Sequence, residues 1–192
     1  MKKIILTANG LENENIGKIF LDLVNKKPEN IKAVFVPTAA NNTDAIEVLP
    51  KCMHDLLDLG IHDKNIFVYD LHYKMGYEEL STYDAIYFCG GSPQYLLKRI
   101  NDTGFNTSIK QFVDNGGVYI GVSAGSIIVA NNLPESLGYL NCNLDVHGND
   151  GINIGKFTPE NHSNIKLPDY RAIIIKDNNY EVIEWKAGFY FA

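Results

Sequence analysis

Cysteine is scarce. The three thiols among 192 residues, Cys52, Cys89 and Cys142, are odd in number, far apart and in no Cys-x-x-Cys spacing, which argues against a disulfide framework and a thiolate zinc site and suits a reducing compartment. Concentrated positive charge is also missing: 17 basic residues face 23 acidic ones, with no run of five like charges and a net charge of −6. That removes the footprint needed to hold nucleic acid or an anionic membrane surface. Long apolar runs are missing too. Ile4-Ile5-Leu6 is broken at Asn9-Gly10, too short for a signal segment or a membrane span, so a cytoplasmic protein is expected and the sequons at Asn41, Asn106 and Asn161 carry no weight. With no repeat, low-complexity tract or linker, residues 1–192 read as a single domain. Its 45% hydrophobic and 11% aromatic content is enough for a core without staples.

Short apolar runs alternate with stretches of helical period, the pattern of an α/β domain with a mostly parallel sheet. Ile4 to Ala8, Ala33 to Pro37, Ile66 to Tyr69, Ala85 to Cys89 and Val118 to Val122 read as strands. Between them, Ile16, Ile19, Phe20 and Leu23 share a helix face. Asp44 to Gly60 suits a helix in which Pro50 starts or kinks the element. Helices are also expected from Pro93 through Arg99 and over Ile109 to Asn115. In the last third, Leu140 to Val146 and Ala172 to Ile175 read as strands, and Val182 to Trp185 as a partner for one of them. The Asn/Gly-rich stretch between them gives little guidance.

The most informative segment is Val118-Tyr119-Ile120-Gly121-Val122-Ser123-Ala124-Gly125-Ser126-Ile127-Ile128. A buried strand runs through Gly-x-Ser-x-Gly into an apolar helix, the context of a nucleophile elbow. Such a turn strains the serine backbone and crowds its neighbours, so positions two before and two after must lack a Cβ; Gly121 and Gly125 do. The helix start aims free N–H groups at a developing oxyanion, with the Ala124 N–H as one donor. A second strand ends in Gly90-Gly91-Ser92-Pro93 at the sheet edge where open α/β folds bind ligands, and the Gly91 N–H is the candidate for a second donor.

A serine hydroxyl needs a base. His54, His62 and His72 read as surface residues and His162 lies in a polar loop, whereas His147 follows Asn143-Leu144-Asp145-Val146 and precedes Gly148, a strand-end position. The acid that would orient it is Asp145, Asp150 or Asp177, the last ending the run Ile173-Ile174-Ile175-Lys176.

Together these residues resemble the peptidase E family of serine peptidases, which includes aspartyl dipeptidases and cyanophycinases. The resemblance runs from Ile4 to about Val182 and rests on Val34-Phe35-Val36-Pro37-Thr38-Ala39, Gly90 to Leu97, Tyr119 to Gly125, and Leu144-Asp145-Val146-His147. It implies a three-layer, flavodoxin-like fold of the class I glutamine-amidotransferase type, with Ser123 as nucleophile, His147 as base, the Gly91 and Ala124 N–H groups as oxyanion hole and Asp177 as the acidic third member. The chain departs from the family at Ser92, where an asparagine is common, and at Asp177, where the aspartyl dipeptidases have glutamate. Asn161 to Tyr170 lacks the basic helix that holds an N-terminal aspartate, so Asp-X specificity is not expected. The chain stops at Ala192, earlier than is usual in the family, so a closing strand is expected to be missing or replaced.

The expected activity is hydrolysis of a short peptide without metal or cofactor; a homodimer is compatible with the sequence. An α/β-hydrolase esterase places its acid before its histidine, and an amidotransferase carries cysteine at the elbow, whereas Cys89 and Cys142 read as buried hydrophobes. The alternative from another class is a non-catalytic flavodoxin-like domain whose glycine turns cradle a phosphate or flavin.

Overall fold

The computed structural model describes residues 1–11, 13–149 and 151–185. Its elements in chain order are β1 (Lys3–Thr7), α1 (Glu14–Val24), β2 (Ala33–Val36), α2 (Thr43–Glu47), α3 (Leu49–Leu57), β3 (Ile66–Val68), α4 (Tyr77–Leu80), β4 (Ala85–Phe88), α5 (Pro93–Asp102), α6 (Phe105–Asp114), β5 (Val118–Val122) and α7 (Ala124–Ile127). They are followed by β6 (Asn143–Val146), β7 (Gly155–Phe157), β8 (Asn164–Leu167), β9 (Arg171–Lys176) and β10 (Asn179–Glu184).

Eight strands form one sheet in the order β3-β2-β4-β5-β1-β9-β10-β7, while β6 and β8 make a separate parallel pair. The first five strands of that order are parallel; β9, β10 and β7 continue the sheet antiparallel. Side chains alternate between the faces of each strand, so both faces of the parallel region are covered. On one face Ile4, Leu6, Val36, Phe88 and Tyr119 pack with Leu96 of α5, Phe105 and Ile109 of α6 and Ile128 after α7. On the other, Ile5, Phe35, Tyr87 and Ile120 pack with Ile16 and Phe20 of α1 and Leu56 of α3. The result is the three-layer α/β fold with a mostly parallel sheet expected from the alternation of runs.

Several expectations shift in detail. The helix read over Asp44 to Gly60 is two helices that meet at Val48, because Pro50 occupies the first turn of α3, where its missing N–H has no partner to lose. The strand over Leu140 to Val146 is shorter, Asn143–Val146, and pairs with β8 outside the main sheet. Val182 pairs with Ile173 on the adjacent antiparallel strand. The segment after Gly188, where a closing strand is in question, lies outside the described residues.

Candidate active site

Ser123 occupies the turn from β5 into α7 with φ 48° and ψ −103°, a region that a residue with a Cβ rarely adopts. The surroundings hold it there. Its N–H donates to the Thr7 carbonyl at 2.9 Å, and its own carbonyl accepts from the N–H groups of Ser126 and Ile127 at 2.9 and 3.0 Å. A Cβ on Gly121 would lie 2.4 Å from the Gly125 carbonyl oxygen, and one on Gly125 would lie 2.6 Å from that of Phe88, so β5, α7 and β4 cross too closely for side chains at either position. Two polar groups not singled out in the sequence secure the same crossing. The Ser126 Oγ, fully buried, accepts the Thr7 N–H at 3.1 Å and lies 2.7 Å from the Gly121 carbonyl, and the Tyr119 hydroxyl donates to the Gly125 carbonyl at 2.7 Å.

At the end of β4, Gly91 has φ 132°, and a Cβ there would stand 2.0 Å from the Ala39 oxygen. Gly90 packs beside the Ser123 side chain, with 3.3 Å to its Cβ from an added methyl. The turn is closed by the Ser92 N–H donating to Ala39 O at 2.8 Å, and the Ser92 hydroxyl caps α5 through the Tyr95 N–H. Among the described residues the N–H groups of Gly91 and Ala124 have no protein acceptor. Both sit at the carboxyl edge of the parallel strands, beside Ser123.

The imidazole arrives from the separate ribbon. His147 directly follows β6 and takes the left-handed conformation, φ 63°, while its N–H continues the ladder to Leu167 O at 3.1 Å. Its Nε2 is 3.1 Å from Ser123 Oγ, and its Nδ1 is 2.7 Å from Asp169 Oδ1. Asp169 lies just past β8. Because β6 and β8 are parallel with Val146 opposite Leu167, their ends fall at the same place, and the two side chains leave the ribbon together. Both are about half exposed, so screening by water leaves the carboxylate more effect on ring orientation than on net stability.

Asp177, expected to orient the imidazole, is elsewhere. It lies in the β9–β10 turn, accepts the Lys2 N–H at 2.8 Å and donates its own N–H to Lys2 O. The physical reason is strand direction: β9 runs antiparallel to β1, so its end falls at the amino edge of the parallel strands. The five-residue length of β1 places that edge about 16 Å from Ser123 at ~3.3 Å per residue. Asp145 accepts the Asn164 side-chain amide at 2.7 Å, and Asp150 lies outside the described residues. Of the other histidines, His54 and His72 pair with Asp58 and Asp70, and His162 stands against the Phe157 ring. A signal for Asp169 exists in the sequence: Asn164-Ile165-Lys166-Leu167 alternates exposed and buried residues, the period of a strand, and Pro168-Asp169 ends it.

A cavity of about 200 Å³ opens beside Ser123 toward α3, lined among others by Ala8, Val48, Cys52, Cys89 and Gly91, with Asp55 at its base. Asp55 is only 8% exposed; it accepts the Leu11 N–H at 2.8 Å and the Tyr87 hydroxyl. Burial pushes its carboxyl above the usual 3.8, although the Tyr87 and Leu11 donors oppose the shift. The two thiols also interact. Hydrogen bonding with Cys89 lowers the Cys52 thiol, while burial first and then that contact raise the Cys89 thiol well above its usual range.

A raised carboxyl pKa means that the native state holds more protons than the unfolded state above about pH 3.8. Stability from this group therefore falls as pH rises through the raised value. Asp55→Asn, similar in shape and always neutral, is expected to gain stability relative to the parent as pH goes from about 4 to 7, read from urea midpoints. Parallel pH profiles for the two proteins would refute this.

Among the described residues no group of three or more His, Cys, Asp or Glu side chains is placed to hold a metal ion, and no helix is long and apolar enough to cross a membrane.

A strained serine at a strand-to-helix crossing, with an imidazole and free N–H groups around it, gathers at one edge of the sheet the groups that nucleophilic hydrolysis needs. Residues 4–181 match the model of peptidase family S51, and the chain belongs to that family. An uncharacterized peptidase of Pasteurella multocida is 26% identical over 133 residues, 69% of this chain and 62% of that protein. One from Listeria monocytogenes is 26% identical over 112 residues, 57% of this chain and 51% of its own length. The chain thus spans between half and two thirds of these relatives. In fold it is similar to the crystal structure of a Listeria monocytogenes EGD-e protein assigned to peptidase E, with TM-score 0.73 and 20% identity over 97% of this chain and 100% of the other. A peptidase from an acI-B1 actinobacterium gives TM-score 0.67 at 18% identity, over 96% and 88% of the two chains.

Proposed function

We propose that the chain is a serine peptidase of short peptides in which Ser123, His147 and Asp169 act in series. The observation that carries this reading is the unbroken line from Ser123 Oγ to His147 Nε2 at 3.1 Å and from Nδ1 to Asp169 at 2.7 Å. Ser123 Oγ attacks the scissile carbonyl as His147 Nε2 takes its proton; the carbonyl oxygen becomes an oxyanion within reach of the Gly91 and Ala124 N–H groups. Collapse of the tetrahedral adduct breaks the C–N bond, and His147 returns the proton to the leaving amine. Water then repeats the sequence on the acyl-enzyme and frees the acid. Asp169 holds Nδ1 protonated, fixes the tautomer and stabilises the imidazolium. The His147 and Asp169 side chains are each about half exposed, so substrate reaches the base from solvent.

A phosphate- or flavin-cradling domain would use the same glycine turns, but it has no need of an imidazole 3.1 Å from the serine hydroxyl. Labelling by a fluorophosphonate separates the two. Covalent modification at Ser123, mapped by mass spectrometry and abolished by denaturing the protein first, is expected of a hydrolase; an unlabelled Ser123 would favour the binding domain.

A further inference from the structure

We propose that Cys52 and Cys89 are a redox-responsive pair beside Ser123, which closes to a disulfide when a peroxide oxidises it and opens again to two thiols under a dithiol reductant. The pair stands independently of the serine-peptidase reading; its control over Ser123 rests on that reading. Three observations carry the proposal.

The first is placement. Cys52 stands on α3, and Cys89 directly follows β4, where its N–H continues the ladder to Val36 O at 3.1 Å. Both line the cavity that also reaches Ser123 and His147, and the two thiols hydrogen-bond to each other. Cys142 belongs to the cluster on the opposite face of the sheet from Cys89. The sheet therefore leaves one pairing for the three thiols.

The second is the difference between the two. Cys89 is fully buried, whereas Cys52 is partly exposed, so an oxidant that enters the cavity meets Cys52 first. The contact with Cys89 lowers the Cys52 thiol against the opposing effects of burial and the Asp55 charge, while burial raises that of Cys89. Thiolate character and access make a sensing cysteine reactive, and a neighbouring thiol resolves it. With hydrogen peroxide, the Cys52 thiolate attacks one oxygen, the O–O bond breaks, and the departing hydroxide takes up a proton and leaves as water. Cys89 Sγ then attacks the sulfenic sulfur, the S–S bond forms, and the hydroxyl leaves with the Cys89 proton as a second water. The thiols lose two electrons and two protons, and the peroxide is reduced.

The third is the connection to the site. Gly90 follows Cys89 and packs beside the Ser123 side chain, and Gly91 stands next in the same turn. A covalent S–S bond is shorter than a hydrogen bond between thiols, so closure draws α3 toward the end of β4 and narrows the cavity beside Ser123. In a reducing compartment such a bond is transient, the behaviour of a sensing disulfide and not of a structural one.

The test is treatment of the intact protein with hydrogen peroxide, followed by peptide mapping without reduction and by the rate of fluorophosphonate labelling at Ser123. Peptides containing Cys52 and Cys89 should be linked, with Cys142 still open to alkylation after denaturation. Labelling should slow at least ~10-fold, since a displacement of about an ångström at a reacting centre costs up to about a hundredfold, and should recover with dithiothreitol. Cys52→Ser should form no link and label at a rate that peroxide leaves unchanged; Cys89→Ala should stop at a Cys52 sulfenic acid that dimedone traps. Free thiols at both positions after peroxide, or a link to Cys142, would overturn the pair. A Cys52–Cys89 link with Ser123 labelled at the reduced rate would overturn its control of the site. A link in a protein whose Ser123 labels in neither state would uphold the pair and overturn the serine-peptidase reading.

Discussion

Ser123→Ala is expected to reduce kcat on any substrate by about a millionfold, the scale seen when the nucleophile of a cooperating serine site is removed, and to leave only what binding and the oxyanion donors supply. The fold should not notice. Alanine keeps the Cβ that already tolerates φ 48°, the backbone bonds to Thr7, Ser126 and Ile127 do not involve the hydroxyl, and the one side-chain partner lost is His147 on the partly exposed side. Circular dichroism and a urea midpoint identical to the parent, together with loss of turnover, locate the effect in chemistry. A variant within tenfold of the parent would remove Ser123 from the reaction.

The second large effect is expected at Asp169. Replacing it with asparagine keeps a polar group near Nδ1 but allows the amide to present N–H, which favours the tautomer that carries its proton on Nε2 and cannot accept from Ser123. A loss of about 10⁴ in kcat follows from that error. Asp177→Asn is the matched control. Its side-chain oxygen still accepts the Lys2 N–H, and the residue stands at the far edge of the sheet, so turnover should stay within about twofold. Asp169→Asn at parental speed, or Asp177→Asn reduced as strongly, would reverse the assignment.

The contrast between these two aspartates marks how far the sequence could be read. The parallel half of the sheet was legible because its strands are buried on both sides and stand out as apolar runs, and because Gly121, Gly125 and Gly91 stand where a Cβ would come within 2.0–2.6 Å of a backbone oxygen. A glycine that must be glycine leaves a trace in a pattern. His147 was legible as a residue delivered at a strand end. The direction of β9 was not, since Ala172 to Ile175 reads the same whether the strand runs with or against its neighbour, and on that direction hangs the edge at which Asp177 emerges. Asp169 was hidden for a different reason. Asn164 to Leu167 is short, half polar and set among Asn and Gly, so its alternation looks like a loop until a partner strand is known. Ser126 and Tyr119 were silent because a buried hydroxyl that satisfies backbone groups carries no spacing of its own.

The separate ribbon of β6 and β8 has a consequence for how the proposed site is lost. Ser123 is anchored in a sheet buried on both faces, while His147 and Asp169 ride on two four-residue strands that pair with each other outside that sheet. Leu144, Ile165 and Leu167 tie the ribbon to the core, so the part that opens most readily is its end past Val146 and Leu167, where the His147 and Asp169 side chains are half exposed. Mild denaturant should therefore part the base from its serine while the Trp185 environment and the helical signal persist, so that inactivation runs ahead of melting. Ser123 then stays in place without its imidazole partner until the ribbon closes again.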